Sequence, residues 1–241
     1  MSEAVLYSVE NGVATIRLNR PDSRNALNLA MCDGLAAAAK SASNDPAVKL
    51  VLVRANGPAF CAGADVKERQ GMTESQVRAR RQKGFDAYAA LEALPMPVVA
   101  VVEGPAVGSG CEIASACDFI VATPAASFRT PEAIRGTVGA TQRLARVLGK
   151  RLAKDMMYTG RTLTAEEALA HGLVSRLVAP EKLEEAIASI AKAIAEAPQY
   201  SLRLAKRTID RGVELDPKGA LAAEIEAIEE QLASGQWMGK S

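Results

Sequence analysis

The amino-acid sequence predicts a mixed α/β fold that gives way to a wholly helical C-terminal part. Residues 48–53, 97–102 and 119–122 are apolar at nearly every position, the mark of strands buried on both faces of a parallel sheet. Helical patterns separate these runs, and strands alternating with helices imply an α/β core with right-handed crossovers. After Thr141 the pattern changes, and one short strand at 174–178 interrupts six helical stretches.

The chain opens on a hairpin. Residues 5–9 and 13–18 flank Glu10-Asn11-Gly12, and Asn-Gly favours the tight turn whose twist suits paired strands. Arg20-Pro21-Asp22 stops the second strand. Residues 28–43 are alanine-rich, with Leu29 and Leu35 on a helical spacing, so Asn28 is expected to cap a helix. A polar, arginine-rich helix is expected over 73–94, and the later helices over 141–147, 150–158, 165–171, 180–196, 199–211 and 217–233. This divides the chain into a core over residues 1–178 and a shortened helical region over 179–241, without low-complexity segments or a fixed-period repeat.

A chain of 241 residues can bury roughly 70–75% of its unfolded surface, enough for a core that needs no disulfide staples. Its 29 Lys and Arg against 28 Asp and Glu leave a net charge of +1, which gives no electrostatic basis for binding nucleic acid or an anionic membrane. The best candidate for a membrane span, 95–102, holds Pro95 and Pro97 and stops at Glu103, well short of the roughly 18–20 residues a bilayer requires. The N-terminus has neither a basic leader pattern nor Arg-rich amphipathic character, so no targeting peptide is expected and a cytoplasmic location follows. Cys32, Cys61, Cys111 and Cys117 form no Cys-x-x-Cys pair and are expected to be small buried residues in a reducing compartment. The single histidine, His171, excludes a His-based zinc site, and Ala170-His171-Gly172 reads as a helix end capped by glycine. No metal site is expected, and any catalysis falls to carboxylates and backbone amides.

Two glycine-rich turns follow the buried strands, at residues 56–65 and 103–112. Small residues let a ligand or another backbone approach, and a strand-to-helix turn aims free N–H groups at whatever lies there. Gly108-Ser109-Gly110 opens like a dinucleotide fingerprint, but Ile113 stands at the third glycine position and the strand does not head the fold. The Gly-Lys-Ser at 239–241 has no helix to open, so it is no phosphate loop. Two readings stay open: tight turns needed for packing, or a pair of amides converging on one carbonyl oxygen.

Phe60-Cys61-Ala62-Gly63-Ala64-Asp65-Val66-Lys67-Glu68, the Gly108-Ser109-Gly110-Cys111-Glu112 turn, Pro131-Glu132 and Thr141-Gln142-Arg143-Leu144 together resemble the enoyl-CoA hydratase/isomerase (crotonase) family. Tyr158-Thr159-Gly160-Arg161, Ala165-Glu166-Glu167-Ala168 and Gly172-Leu173-Val174 extend the match, which runs from Val5 to about Trp237. The resemblance implies a crotonase-like spiral of ββα units with a helical C-terminal trimerisation region, and a homotrimer or a dimer of trimers. It also implies an acyl-CoA thioester as substrate, with coenzyme A part of that substrate and no separate cofactor. By position, the amides of Ala64 and Ser109 correspond to the oxyanion hole. Arg24, Ala26, Leu27, Ala62, Ala64, Asp65, Val66, Lys67 and Gly108 correspond to the surface that holds substrate and coenzyme A, where basic Arg24 and Lys67 suit a polyphosphate.

Within this family the acid/base residues decide the reaction. Glu112 and Glu132 stand twenty residues apart, the spacing of the two catalytic glutamates in members that hydrate 2-enoyl-CoA. Hydration needs a proton taken from water as it attacks Cβ and a proton delivered to Cα, which two converging carboxyls can do. The resemblance assigns Glu112 mainly to the water and Glu132 mainly to the Cα proton. The rivals are an isomerase or another crotonase reaction that uses Glu132 alone, and a non-catalytic acyl-CoA-binding member. A Cys61 or Cys111 nucleophile lacks a neighbouring base in the sequence. The chain departs from the family pattern at three points. Ser109 replaces a commoner glycine, where a left-handed backbone would strain serine. The stretch 136–141 is shorter than usual beside the acyl pocket. Relatives also continue past the position of Trp237 into a helix that covers the site, so a more open pocket or a helix from a neighbouring subunit is expected.

Overall fold

The computed structural model describes residues 3–235; Trp237 and the Gly-Lys-Ser stretch lie outside the described residues. The hairpin forms as β1 (Val5–Glu10) and β2 (Val13–Leu18), antiparallel, with Asn11 and Gly12 at φ 50° and 79° in the turn. The chain continues through α1 (Leu29–Asn44), β3 (Leu50–Ala55), α2 (Val66–Arg69), α3 (Glu74–Glu92), β4 (Val98–Val102), β5 (Pro105–Val107) and α4 (Ser109–Ser115). It then runs through β6 (Phe119–Ala122), β7 (Ser127–Arg129), α5 (Arg143–Thr159), β8 (Thr162–Thr164), α6 (Ala165–Ala170) and β9 (Arg176–Leu177), and ends in α7 (Leu183–Glu196), α8 (Gln199–Gly212) and α9 (Pro217–Ala233). Local chemistry starts the helices as expected. Asn28 accepts from the Met31 N–H at 2.9 Å, and Thr73 with Gln76 forms a reciprocal capping box at the head of α3.

Six strands form the main sheet in the order β1-β2-β3-β4-β6-β9, parallel at every pairing after the hairpin. Alternate residues explain why its strands read as continuous apolar runs. Val51, Val53, Val98, Ala100 and Val102 face the large core under α1 and α3, while Leu50, Leu52, Val99, Val101 and Val121 pack against Leu183, Ile187 and Ile190 of α7.

A second sheet, β5-β7-β8, has no counterpart in the sequence reading. Its strands are three residues each, too short for alternation to register. Bridges from Cys61 to Ala106 and from Leu27 to Ala64 extend this layer by two more segments. The chain therefore repeats one path: a main-sheet strand, a short second strand, then a helix or helical turn. β3 leads through residues 61–64 to α2, β4 through β5 to α4, and β6 through β7 to a 3-10 turn at Ala133–Arg135. Ala64, Ser109 and Glu132 each lie at or just past the exit of the second strand in successive units. The two helices expected at 141–147 and 150–158 run together as α5 across a kink at Gly149 (φ 73°, ψ 155°). α8 and α9 pack on each other beyond α7.

Candidate active site

The buried side chain of Asn25 organises the first segment of the site. Its Nδ2 donates to the carbonyls of Asn56 and Ala59, both at 2.8 Å, and its Oδ1 accepts from the Arg20 N–H at 2.7 Å. This pins residues 24–27 against the first glycine-rich turn. The Leu27 N–H then donates to Gly63 O (2.8 Å), and the Asp65 N–H to Leu27 O (2.9 Å). Backbone groups alternate sides along an extended segment, so the Ala64 N–H points away from Leu27. Among the described residues it has no acceptor.

The second turn presents its amide by another route. Ser109 is the first residue of α4, a position whose N–H has no partner inside the helix, and none outside it among the described residues. The strain expected at Ser109 falls on Gly108 instead, at φ 50° and ψ −106°. A Cβ at Gly108 would also collide with Glu132 Oε1. Glycine is required there on both counts.

Ala64, Ser109, Glu112 and Glu132 line one cleft of about 100 Å³, together with Leu27, Tyr88 and residues 137–140. Glu112 is 6% exposed, and its Oε2 accepts from Arg143 Nη1 at 2.8 Å. The other end of the same guanidinium holds Glu92 at 2.7 Å, and its carbon lies 5.7 Å from the centre of the Tyr88 ring. Burial pushes the Glu112 carboxyl above the usual carboxylate range, and Arg143 draws it back in part. Glu132 is raised too, first by burial and then by the charge of Glu112. Its Oε2 is buried with no hydrogen-bond partner among the described residues.

An outer groove of about 560 Å³ adjoins the cleft and shares Ala64, Arg69, Val77, Arg81, Glu132 and Thr137 with it; Ala62, Val66, Gly108 and Arg135 are among its other lining residues. The structure thus brings Leu27, Ala64, Ser109, Glu112 and Glu132 together in the cleft, and Ala62, Val66 and Gly108 into the groove. Arg24, Ala26, Asp65 and Lys67 line neither. Asp65 is occupied as the cap of α2, accepting from the Lys67 and Glu68 N–H groups, and pairs with Arg20 at 3.0 Å. Arg24 and Lys67 are exposed beside it.

Sequence reasoning gave no role to Arg143, although it stands in the Thr141-Gln142-Arg143-Leu144 motif, nor to Tyr88 and Arg69, which line or border the cleft. All four cysteines are buried, and burial pushes the Cys61 thiol to about 12 and Cys32 to about 11, so none is a ready nucleophile. His171 caps the end of α6, away from the cleft lining.

The spiral of ββα units with its C-terminal helices is the crotonase fold. The chain superposes on the 1.8 Å crystal structure of enoyl-CoA hydratase from Bacillus anthracis with a TM-score of 0.90 at 36% identity, covering 94% of this chain and 90% of that one. A family model for enoyl-CoA hydratase/isomerase matches residues 8–237, and the chain belongs to that family. It is 35% identical to crotonyl-CoA hydratase of Syntrophomonas wolfei over 94% of this chain and 88% of that protein. It is 36% identical to short-chain-enoyl-CoA hydratase of Clostridium acetobutylicum, with the same coverage of each.

Proposed function

We propose that the protein adds water to a trans-2-enoyl-CoA, giving the 3-hydroxyacyl-CoA. One observation carries this reading: Glu112 and Glu132 line the same cleft as the Ala64 and Ser109 N–H groups. With the thioester oxygen between those two donors, attack of water at Cβ builds negative charge on that oxygen. Each donor then lowers the barrier by roughly 2.7–4 kcal/mol. Glu112, whose carboxylate form is favoured by Arg143 against the effect of burial, takes the proton of the attacking water. Glu132, whose charge is disfavoured by burial and by Glu112, gives its proton to Cα. Exchange with solvent restores both carboxyls. This chemistry needs no metal or organic cofactor, since coenzyme A arrives with the substrate.

The pantetheine arm is assigned to the outer groove along Ala62, Val66 and Gly108, with Arg24, Ala26 and Lys67 beside the adenine and phosphates and Asp65 shaping the turn. We assign the active protein to the cytoplasm as a homotrimer or dimer of trimers. No described helix is long and apolar enough to cross a membrane.

A second reading has its own support: Arg143 ties up one oxygen of Glu112, while Glu132 Oε2 is unpartnered. An isomerase would move a proton with Glu132 alone. Loss of enoyl absorbance from crotonyl-CoA tests hydration directly, and Glu112→Gln separates the two readings. A hydratase loses hydration by about a hundredfold or more in that variant, whereas an isomerase keeps its activity on a 3-enoyl-CoA.

A further inference from the structure

Four arginines stand in or against the catalytic cleft, and only two are neutralised by the protein. Arg80 pairs with Glu68 at 2.7 Å and donates to Leu27 O, and Arg143 pairs with Glu112 and Glu92. Arg69, half-buried at the end of α2, has no ion pair or side-chain hydrogen bond among the described residues. Arg81 is exposed, and among the described residues its hydrogen bonds go only to uncharged groups, Thr137 Oγ1 at 2.5 Å and Val138 O at 3.3 Å, on the loop that lines the same cleft. The junction of the cleft with the outer groove therefore carries two positive charges with no acidic partner among the described residues. A purely hydrocarbon chain would desolvate them with no compensating contact.

We propose that the acyl group taken by this site ends in a carboxylate, gripped at the cleft mouth by Arg69 and Arg81. The inference rests on the acyl-CoA reading above and specifies its substrate. Guanidinium forks suit a carboxylate through paired, charge-assisted hydrogen bonds. The phosphates of coenzyme A are a poor alternative for these two residues. They lie at the far end of the pantetheine arm, while Arg69 and Arg81, which also border the outer groove, line the cleft together with the amides that would hold the thioester.

The test compares crotonyl-CoA with glutaconyl-CoA, which carries a carboxylate on the crotonyl C4. The wild-type protein is expected to favour glutaconyl-CoA in kcat/KM by at least about tenfold, and Arg69→Met and Arg81→Met each to reduce that ratio by roughly ten- to a hundredfold. Equilibrium binding of glutaryl-CoA against butyryl-CoA, neither of which can be hydrated, separates this inference from the hydratase reading. Tighter binding of glutaryl-CoA that is lost in both variants supports the carboxylate site even if no hydration is found. Equal binding of the two overturns it whatever the turnover. Glutaryl- and butyryl-pantetheine, which lack the nucleotide phosphates, complete the comparison. A glutaryl preference that persists there supports the acyl assignment; an arginine effect that disappears with the phosphates, or that weakens both acyl groups equally, overturns it.

Discussion

Glu132 sits in a conflict that defines the site. Its carboxyl is largely buried, one oxygen is unpartnered, and Gly108 must lack a side chain to make room for the other. A carboxyl raised by burial binds its proton more tightly in the folded state than in the unfolded chain. It therefore lowers stability as pH rises from the ordinary carboxylate range through the raised value. Glu132→Gln is expected to abolish hydration yet stabilise the protein by about 1 kcal/mol at neutral pH, with the gain vanishing in acid; thermal melts from pH 4 to 8 read both. Arg143 acts on Glu112 with the opposite sign, since its charge favours the carboxylate. Replacing it with methionine raises the Glu112 carboxyl further, so the acid limb of kcat/KM moves to higher pH. An unshifted pH profile would show that Arg143 does not tune the base.

At the scale of elements, the site depends on how second strands pass into helices. Asp65 caps the four-residue α2 directly after the Ala64 amide and ties it to Arg20. Asp65→Ala is expected to cost about 1–2 kcal/mol in denaturant melts and to lower kcat/KM by freeing the Ala64 amide. Thr73→Ala removes a cap of similar worth from α3 and serves as the comparison. Its loss of stability should come with a much smaller loss of kcat/KM, and equal losses from both would remove the special role of the Asp65 turn. Among the helix caps Asn28 was readable, by its place before an alanine-rich helical run; at Thr73 only the approximate start of the arginine-rich helix was, and the capping role of Asp65 was not. β5, β7 and β8 were not, because three-residue strands owe their pairing to neighbours distant in sequence.

Across the whole molecule, the α8–α9 pair leaves Ile209, Val213, Leu221 and Ile225 each more than half exposed. Apolar exposure of this kind suits a protein-binding surface, and it is the face that the proposed trimer or hexamer would cover. Light scattering should give the mass of a trimer or hexamer, and Ile209→Asp with Leu221→Asp should shift it towards monomer. A wild-type monomer at micromolar concentration would refute the oligomer assignment.

Features governed by near neighbours could be read from the chain alone. Asn11-Gly12 turns the hairpin, unbroken apolar runs form strands covered on both faces, and the order of short motifs identifies the family. Long-range geometry emerged only from the folded chain. Arg143 meets Glu112 across 31 residues, Arg81 reaches Thr137 across 56, and the Ala64 amide faces the cleft because Leu27, far upstream, occupies its other side. Propensity and hydrophobic period act over a few residues. The partner of a buried charge or the direction of an unpaired N–H depends on which distant segments pack together, and packing is a property of the whole fold.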